Sequence, residues 1–154
     1  MKRTSFRLRL CAALLAMNLL FIWGNSLLPG EVSGAFSDWV KSVLSRIFAG
    51  SEDDVSGGGL LRKLAHFSEF ALLGACFCWL YAMLMTTQPR QLLFASISGI
   101  LAACVDETIQ RFVPLRNGCL TDVGIDTAGV FTGIVLFSIV YLINKHKQHL
   151  EEMK

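Results

Sequence analysis

Apolar residues run through this chain in four long stretches that no formal charge interrupts. Asp, Glu, Lys and Arg are absent from Leu10 to Gly30, from Phe70 to Pro89, from Gln91 to Val105 and from Thr127 to Asn144. Such runs approach the roughly 20 residues that a helix needs to cross the hydrocarbon core of a bilayer. A soluble globule would instead place charges on the outer face of every amphipathic helix. The pattern predicts an all-α fold, a transmembrane four-helix bundle with helices over about 10–28, 64–85, 91–111 and 121–143. Pro29, Pro89 and Pro114 fall one in each gap, where a residue without an amide proton breaks the helix.

The first run follows Lys2, Arg3, Arg7 and Arg9, the basic start that a secretory signal peptide shares. It ends in Trp23-Gly24-Asn25-Ser26-Leu27-Leu28-Pro29 instead of a small-x-small cleavage site, so it reads as an uncleaved anchor. A different pattern occupies the connection that follows. Phe36, Trp39, Val40, Val43, Leu44, Ile47 and Phe48 recur at offsets of three and four, with Asp38, Lys41, Ser42, Ser45 and Arg46 on the other side. This predicts an amphipathic helix over about 35–49 lying in the membrane interface. Glu52-Asp53-Asp54 and Gly57-Gly58-Gly59 then form a hydrated, flexible link. The segment reads either as an interfacial strut or as a lid over a site at that face.

Composition adds limits. With 154 residues, 53% of them hydrophobic, the chain is one membrane domain, 1–154, and a net charge of +2 without a basic patch excludes a nucleic-acid partner. Five cysteines are too few for a disulfide-stapled scaffold. Cys11, Cys76, Cys78 and Cys104 fall within the predicted helices as small apolar fillers, and Cys119 faces the exterior. Lys and Arg are densest in the N-terminal arm, at Arg90 and in the tail with Lys145, Lys147 and Lys154. That bias predicts a membrane protein with both termini in the cytoplasm.

The polar residues inside the predicted bundle are the candidates for function, because an ionisable side chain costs several kcal/mol there unless paired or hydrated. Arg62, His66 and Glu69 stack on one face of the second helix. Asp106 and Gln110 share a face of the third with Gly99 and Ala103, Glu107 lying at its margin. Asp122, Asp126, Gly129 and Gly133 form a stripe on the fourth. All fall in the outer third of the bilayer, where random scatter would have used both leaflets. The alternative is a packing network, with Glu69 paired to His66 or Arg116 and Asp122 capping the fourth helix.

The chemistry open to this layer is of three kinds. His66-x-x-Glu69 with Asp106 can act as an acid/base set, three positions on a helix bringing two side chains to one substrate. Asp106, Asp122 and Asp126 add enough oxygen ligands for a divalent metal, although the His-Glu-x-x-His spacing of a zinc protease is absent. Arg62 and Arg116 can hold a phosphate or carboxylate by paired hydrogen bonds, with Glu107, Gln110, Asp122 and Asp126 as further ligand-binding candidates. Besides membrane lipids, the partner that fits is an amphiphile with an anionic head, such as a lipid-linked wall precursor. No P-loop, Ser-x-x-Lys or Gly-x-Ser-x-Gly motif accompanies them, so no cofactor is called for.

Three segments carry a resemblance. Arg62-Lys63-Leu64-Ala65-His66-Phe67-Ser68-Glu69-Phe70-Ala71-Leu72-Leu73-Gly74, then Asp106-Glu107-Thr108-Ile109-Gln110-Arg111-Phe112-Val113-Pro114-Leu115-Arg116, then Asp122-Val123-Gly124-Ile125-Asp126-Thr127-Ala128-Gly129 resemble, in this order, the motifs of the VanZ-like family of small bacterial membrane proteins. Asp126 stands where that family usually has Asn, which adds an acid to the layer. The resemblance implies a multi-pass envelope protein in the context of glycopeptide resistance of the teicoplanin type, with a glycopeptide as a further possible ligand. It implies a fold and a context, and no reaction.

Overall fold

The computed structural model of the chain describes residues 2–29, 58–114, 116 and 119–153. Four helices account for most of them: α1 (Lys2–Ser26), α2 (Gly58–Leu84), α3 (Gln88–Arg111) and α4 (Leu120–Glu152). No strand occurs among the described residues. Their lengths of 25, 27, 24 and 33 residues all exceed what a bilayer crossing requires. All four are apolar enough to span. The predicted interfacial helix over 35–49 and its Glu52-Asp53-Asp54 link lie outside the described residues.

Helix ends differ from the predicted ones where charged residues flank the apolar runs. Helix α1 begins at Lys2 and α4 runs on to Glu152, through the basic arm and the charged tail. Lys, Arg, Glu and Gln are good helix formers, so the backbone continues past the hydrocarbon edge. At 1.5 Å per residue α4 is roughly 50 Å long, against a core of about 30 Å. Gly58 and Gly59, expected in a flexible link, already belong to α2. Pro89 lies in the first turn of α3 and not in the gap before it. Its missing N–H costs nothing there, since first-turn amides have no partner within the helix.

Helix α2 is the centre of the bundle. It packs most extensively on α4, α3 packs against both, and α1 lies against α2 and α3. The α2–α4 contact is close enough to exclude side chains. A Cβ on Gly133 would collide with the Ala71 carbonyl and one on Gly129 with the Phe67 carbonyl, while Gly74 makes reciprocal room for the backbone of Val130. Small residues replace the missing hydrophobic drive in lipid by letting backbones touch. Phe70, Leu73, Cys76, Cys78, Val130 and Ile134 fill the interior, and Leu20, Phe21, Leu72, Leu101, Val135 and Leu136 are exposed on the outside. That inverted surface is what a lipid-facing bundle needs. Cys104, expected as a filler, is exposed on α3. The protein is a multi-pass membrane protein.

Candidate functional site

The polar residues gather at the end of the bundle where α1 and α3 finish and α2 and α4 begin. Helical period explains the gathering. Arg62 and His66 are one turn apart on α2, Asp106 and Gln110 one turn apart on α3, and Asp122 and Asp126 one turn apart on α4. Each pair occupies the face turned toward its neighbours. Asp106, Glu107, Gln110, Arg116 and Asp126 are buried to 5% exposure or less and His66 to 8%, whereas Asp122 is partly exposed.

Gln110 is the hub of this layer. Arg62 Nη2 donates to Gln110 Oε1 at 2.7 Å, and Gln110 Nε2 donates to Asp106 Oδ2 at 2.7 Å and toward Ser26 Oγ at 3.4 Å. One amide side chain thus ties α1, α2 and α3 together. His66 Nδ1 stands 3.8 Å from Asp106 Oδ2. On the α4 side, the Cys119 backbone N–H donates to Glu107 Oε2 at 2.9 Å, and Lys63 Nζ lies 4.0 Å from Asp122 Oδ1. Arg116 Nη2 donates to the Asn25 carbonyl at 2.9 Å.

These bonds leave the layer incompletely satisfied. Among the described residues, His66 Nδ1, Glu69 Oε2, Asp106 Oδ1, Glu107 Oε1, Asp126 Oδ2 and the Nε and Nη1 of Arg116 are buried and find no hydrogen-bond partner. Native interiors pair nearly all such atoms, because each one left bare costs on the order of 1–3 kcal/mol. Beside them is a pocket of ≈ 240 Å³ of empty space, counting its open mouth. Arg62, Lys63 and His66 from α2, Glu107 and Gln110 from α3, and Asp122, Ile125 and Asp126 from α4 line it. One potential ligand atom from each of His66, Asp106 and Asp126 lies within 4.8 Å of the other two.

Of the nine candidates read from the sequence, six meet at the pocket wall. Asp106 sits directly behind it, bonded to Gln110. Arg116 is buried next to it, close enough to Arg62, Asp106 and Glu107 for their charges to interact. Burial holds its guanidinium below the ordinary arginine pKa, and the like charge of Arg62 adds to the effect. Glu69 is half-buried and does not line the pocket. The packing alternative is corrected in its details. Arg116 turns to a backbone carbonyl and not to Glu69. Cys119 is the N-cap of α4, without a side-chain bond, and Asp122 sits in the first turn beside Lys63. There its carboxylate still faces the positive end of the helix dipole.

Sequence reasoning missed the contribution of α1. Ser26 is fully buried and the Asn25 carbonyl holds Arg116. The available signal was a polar pair, Asn25-Ser26, closing an otherwise apolar helix at the depth of the polar layer.

Comparison with curated proteins and with solved structures yields no match to this chain. A family model does match it: that of VanZ/LLP1, over residues 9–141, a span that takes in α2 and α3, most of α1 and α4, and every residue of the polar layer. With the order of its motifs and this coverage, the chain belongs to the VanZ/LLP1 family.

Proposed function

We propose that this VanZ-like membrane protein binds the anionic head of an amphiphilic envelope component in the polar pocket, at the outer face of the bacterial cytoplasmic membrane. The observation that carries the reading is the basic rim over an incompletely bonded interior. Arg62 and Lys63 line the pocket at the start of α2, and Arg116 is buried alongside, two of its nitrogens without a partner among the described residues. A guanidinium fork matches phosphate or carboxylate oxygens in pairs, which suits Arg62, Arg116 and neighbouring Lys63 to an anionic head. Asp106 and Glu107 lie close enough to Arg116 for their charges to oppose its own.

The Lys and Arg bias supports an N-terminal arm, Arg90 turn and tail in the cytoplasm, an orientation in which the pocket opens outward. A lipid-linked wall precursor fits: its chain lies among the exposed apolar side chains and its phosphate meets the rim. Holding such a molecule changes what a glycopeptide can reach, which is the resistance context that the family resemblance implies.

A second reading rests on a separate observation, the 3.8 Å approach of His66 Nδ1 to Asp106 Oδ2 in a buried setting. A histidine oriented by a carboxylate can move a proton to or from a bound substrate, and this makes the site that of an acid/base enzyme acting on the same class of amphiphile. Native mass spectrometry with farnesyl diphosphate, in EDTA-treated detergent solution, tests the binding reading. Wild type retains the ligand, and Arg62→Gln combined with Lys63→Gln weakens it about tenfold or more, the worth of a charged hydrogen bond. Equal retention by both proteins would contradict it.

A further inference from the structure

We propose that His66, Asp106 and Asp126 hold a divalent cation of the Mn²⁺ and Zn²⁺ class at the floor of the pocket. The proposal deepens the anion-binding reading and rests on the same pocket. Three helices each supply one residue, and the ligand atoms lie within 4.8 Å of one another. The side chains are at least nine-tenths buried, with exposures of 8%, 0% and 1%. Each presents an atom without a hydrogen-bond partner among the described residues: Nδ1 of His66, Oδ1 of Asp106 and Oδ2 of Asp126. A buried acidic pair beside a histidine, each with one bare atom among the described residues, is what a cation completes.

Charge points the same way. Glu69, Asp106, Glu107, Asp122 and Asp126 face Arg62, Lys63 and Arg116, five formal negative charges against three positive ones. The surroundings supply the other requirements of a metal site. Gln110 Nε2 donates to Asp106 Oδ2 at 2.7 Å, fixing the carboxylate and leaving Oδ1 free, as outer-shell donors commonly do. The pocket lined by His66 and Asp126 is the entry path. One imidazole and two carboxylates without a thiolate suit Mn²⁺ or Zn²⁺ and disfavour thiol-seeking ions. Three protein ligands leave coordination positions open toward the basic rim, where a phosphate oxygen can bind the ion while Arg62 and Lys63 hold its neighbours.

The test uses the full chain in detergent with Mn²⁺ alone as the probe, followed by electron paramagnetic resonance. His146 and His149 of the exposed tail are replaced by Gln in every sample to remove adventitious binding. The six-line signal of free Mn²⁺ should fall with one ion bound per chain, return on adding Zn²⁺, and show spin-echo modulation from one histidine nitrogen. That nitrogen signature in the tail-substituted chain identifies His66 even if other variants fold poorly. Asp126→Asn and His66→Gln should weaken binding about tenfold or more. Wild-type protein that leaves millimolar Mn²⁺ free, or binds it without nitrogen modulation, overturns the proposal, as does a folded Asp126→Asn protein of unchanged affinity. Because farnesyl diphosphate binding is measured in EDTA, its loss with Mn²⁺ binding intact removes the anion reading alone, and the reverse removes the metal alone.

Discussion

Arg62 of α2 donates to Gln110 of α3 at 2.7 Å, joining positions 48 apart through a side chain that also holds Asp106 at 2.7 Å. The bond sets the height at which α2 and α3 meet. Gln110 is 1% exposed, so water cannot take its place without a cavity. Gln110→Ala is expected to destabilise the protein by about 1–3 kcal/mol, because Asp106 and Arg62 each lose a buried partner. A thermal melt in detergent checks this, with exposed Gln148 of α4, changed to Ala, as the reference.

The backbone contact of α2 and α4 makes a second prediction. Gly133→Leu places a side chain where the Ala71 carbonyl already sits, so α4 must separate from α2. Folded yield should drop sharply, while Val135→Leu at an exposed position should behave like wild type. Similar yields for both variants would mean that the glycine stripe does not face α2.

Most of this architecture was legible, for identifiable reasons. Charge-free runs locate membrane helices because the bilayer penalises charge, and the one-turn spacing of Arg62 with His66, Asp106 with Gln110 and Asp122 with Asp126 places three polar faces at one depth. What escaped reading carries no side-chain signature. The Asn25 carbonyl that accepts from Arg116 is backbone, and Gly74 matters only through its fit to Val130. Helix ends at Lys2 and Glu152 escaped because helical propensity outlasts the membrane that charge demarcates. Pro89 escaped because its effect depends on position in the helix, being disruptive in the middle and harmless in the first turn.

Orientation is testable through Cys119, which is free and fully exposed at the start of α4. Its hydrogen bonding with Thr121, at 2.8 Å between Sγ and Oγ1, lowers the thiol pKa and raises the thiolate fraction that reacts. A membrane-impermeant maleimide should label Cys119 in intact cells. In a Cys119→Ser background, Thr87→Cys and Gln148→Cys should be labelled only after permeabilisation. Labelling of Thr87→Cys from outside would place the pocket at the cytoplasmic face.

The central claim is that the polar layer serves a ligand and does more than hold helices together, and paired measurements on Glu69→Gln, His66→Gln and Asp106→Asn test it most directly. Each change keeps approximate size and hydrogen-bonding capacity while altering charge or ligand character. For every variant, membrane abundance, melting temperature and the cellular phenotype, survival under a glycopeptide being the one proposed, are measured in one strain. A ligand site predicts that His66→Gln and Asp106→Asn lose the phenotype at near-normal abundance and melting temperature, with Glu69→Gln following if its carboxylate takes part. A phenotype that falls only as abundance falls, variant by variant, or that survives intact in folded His66→Gln and Asp106→Asn proteins, would contradict the account.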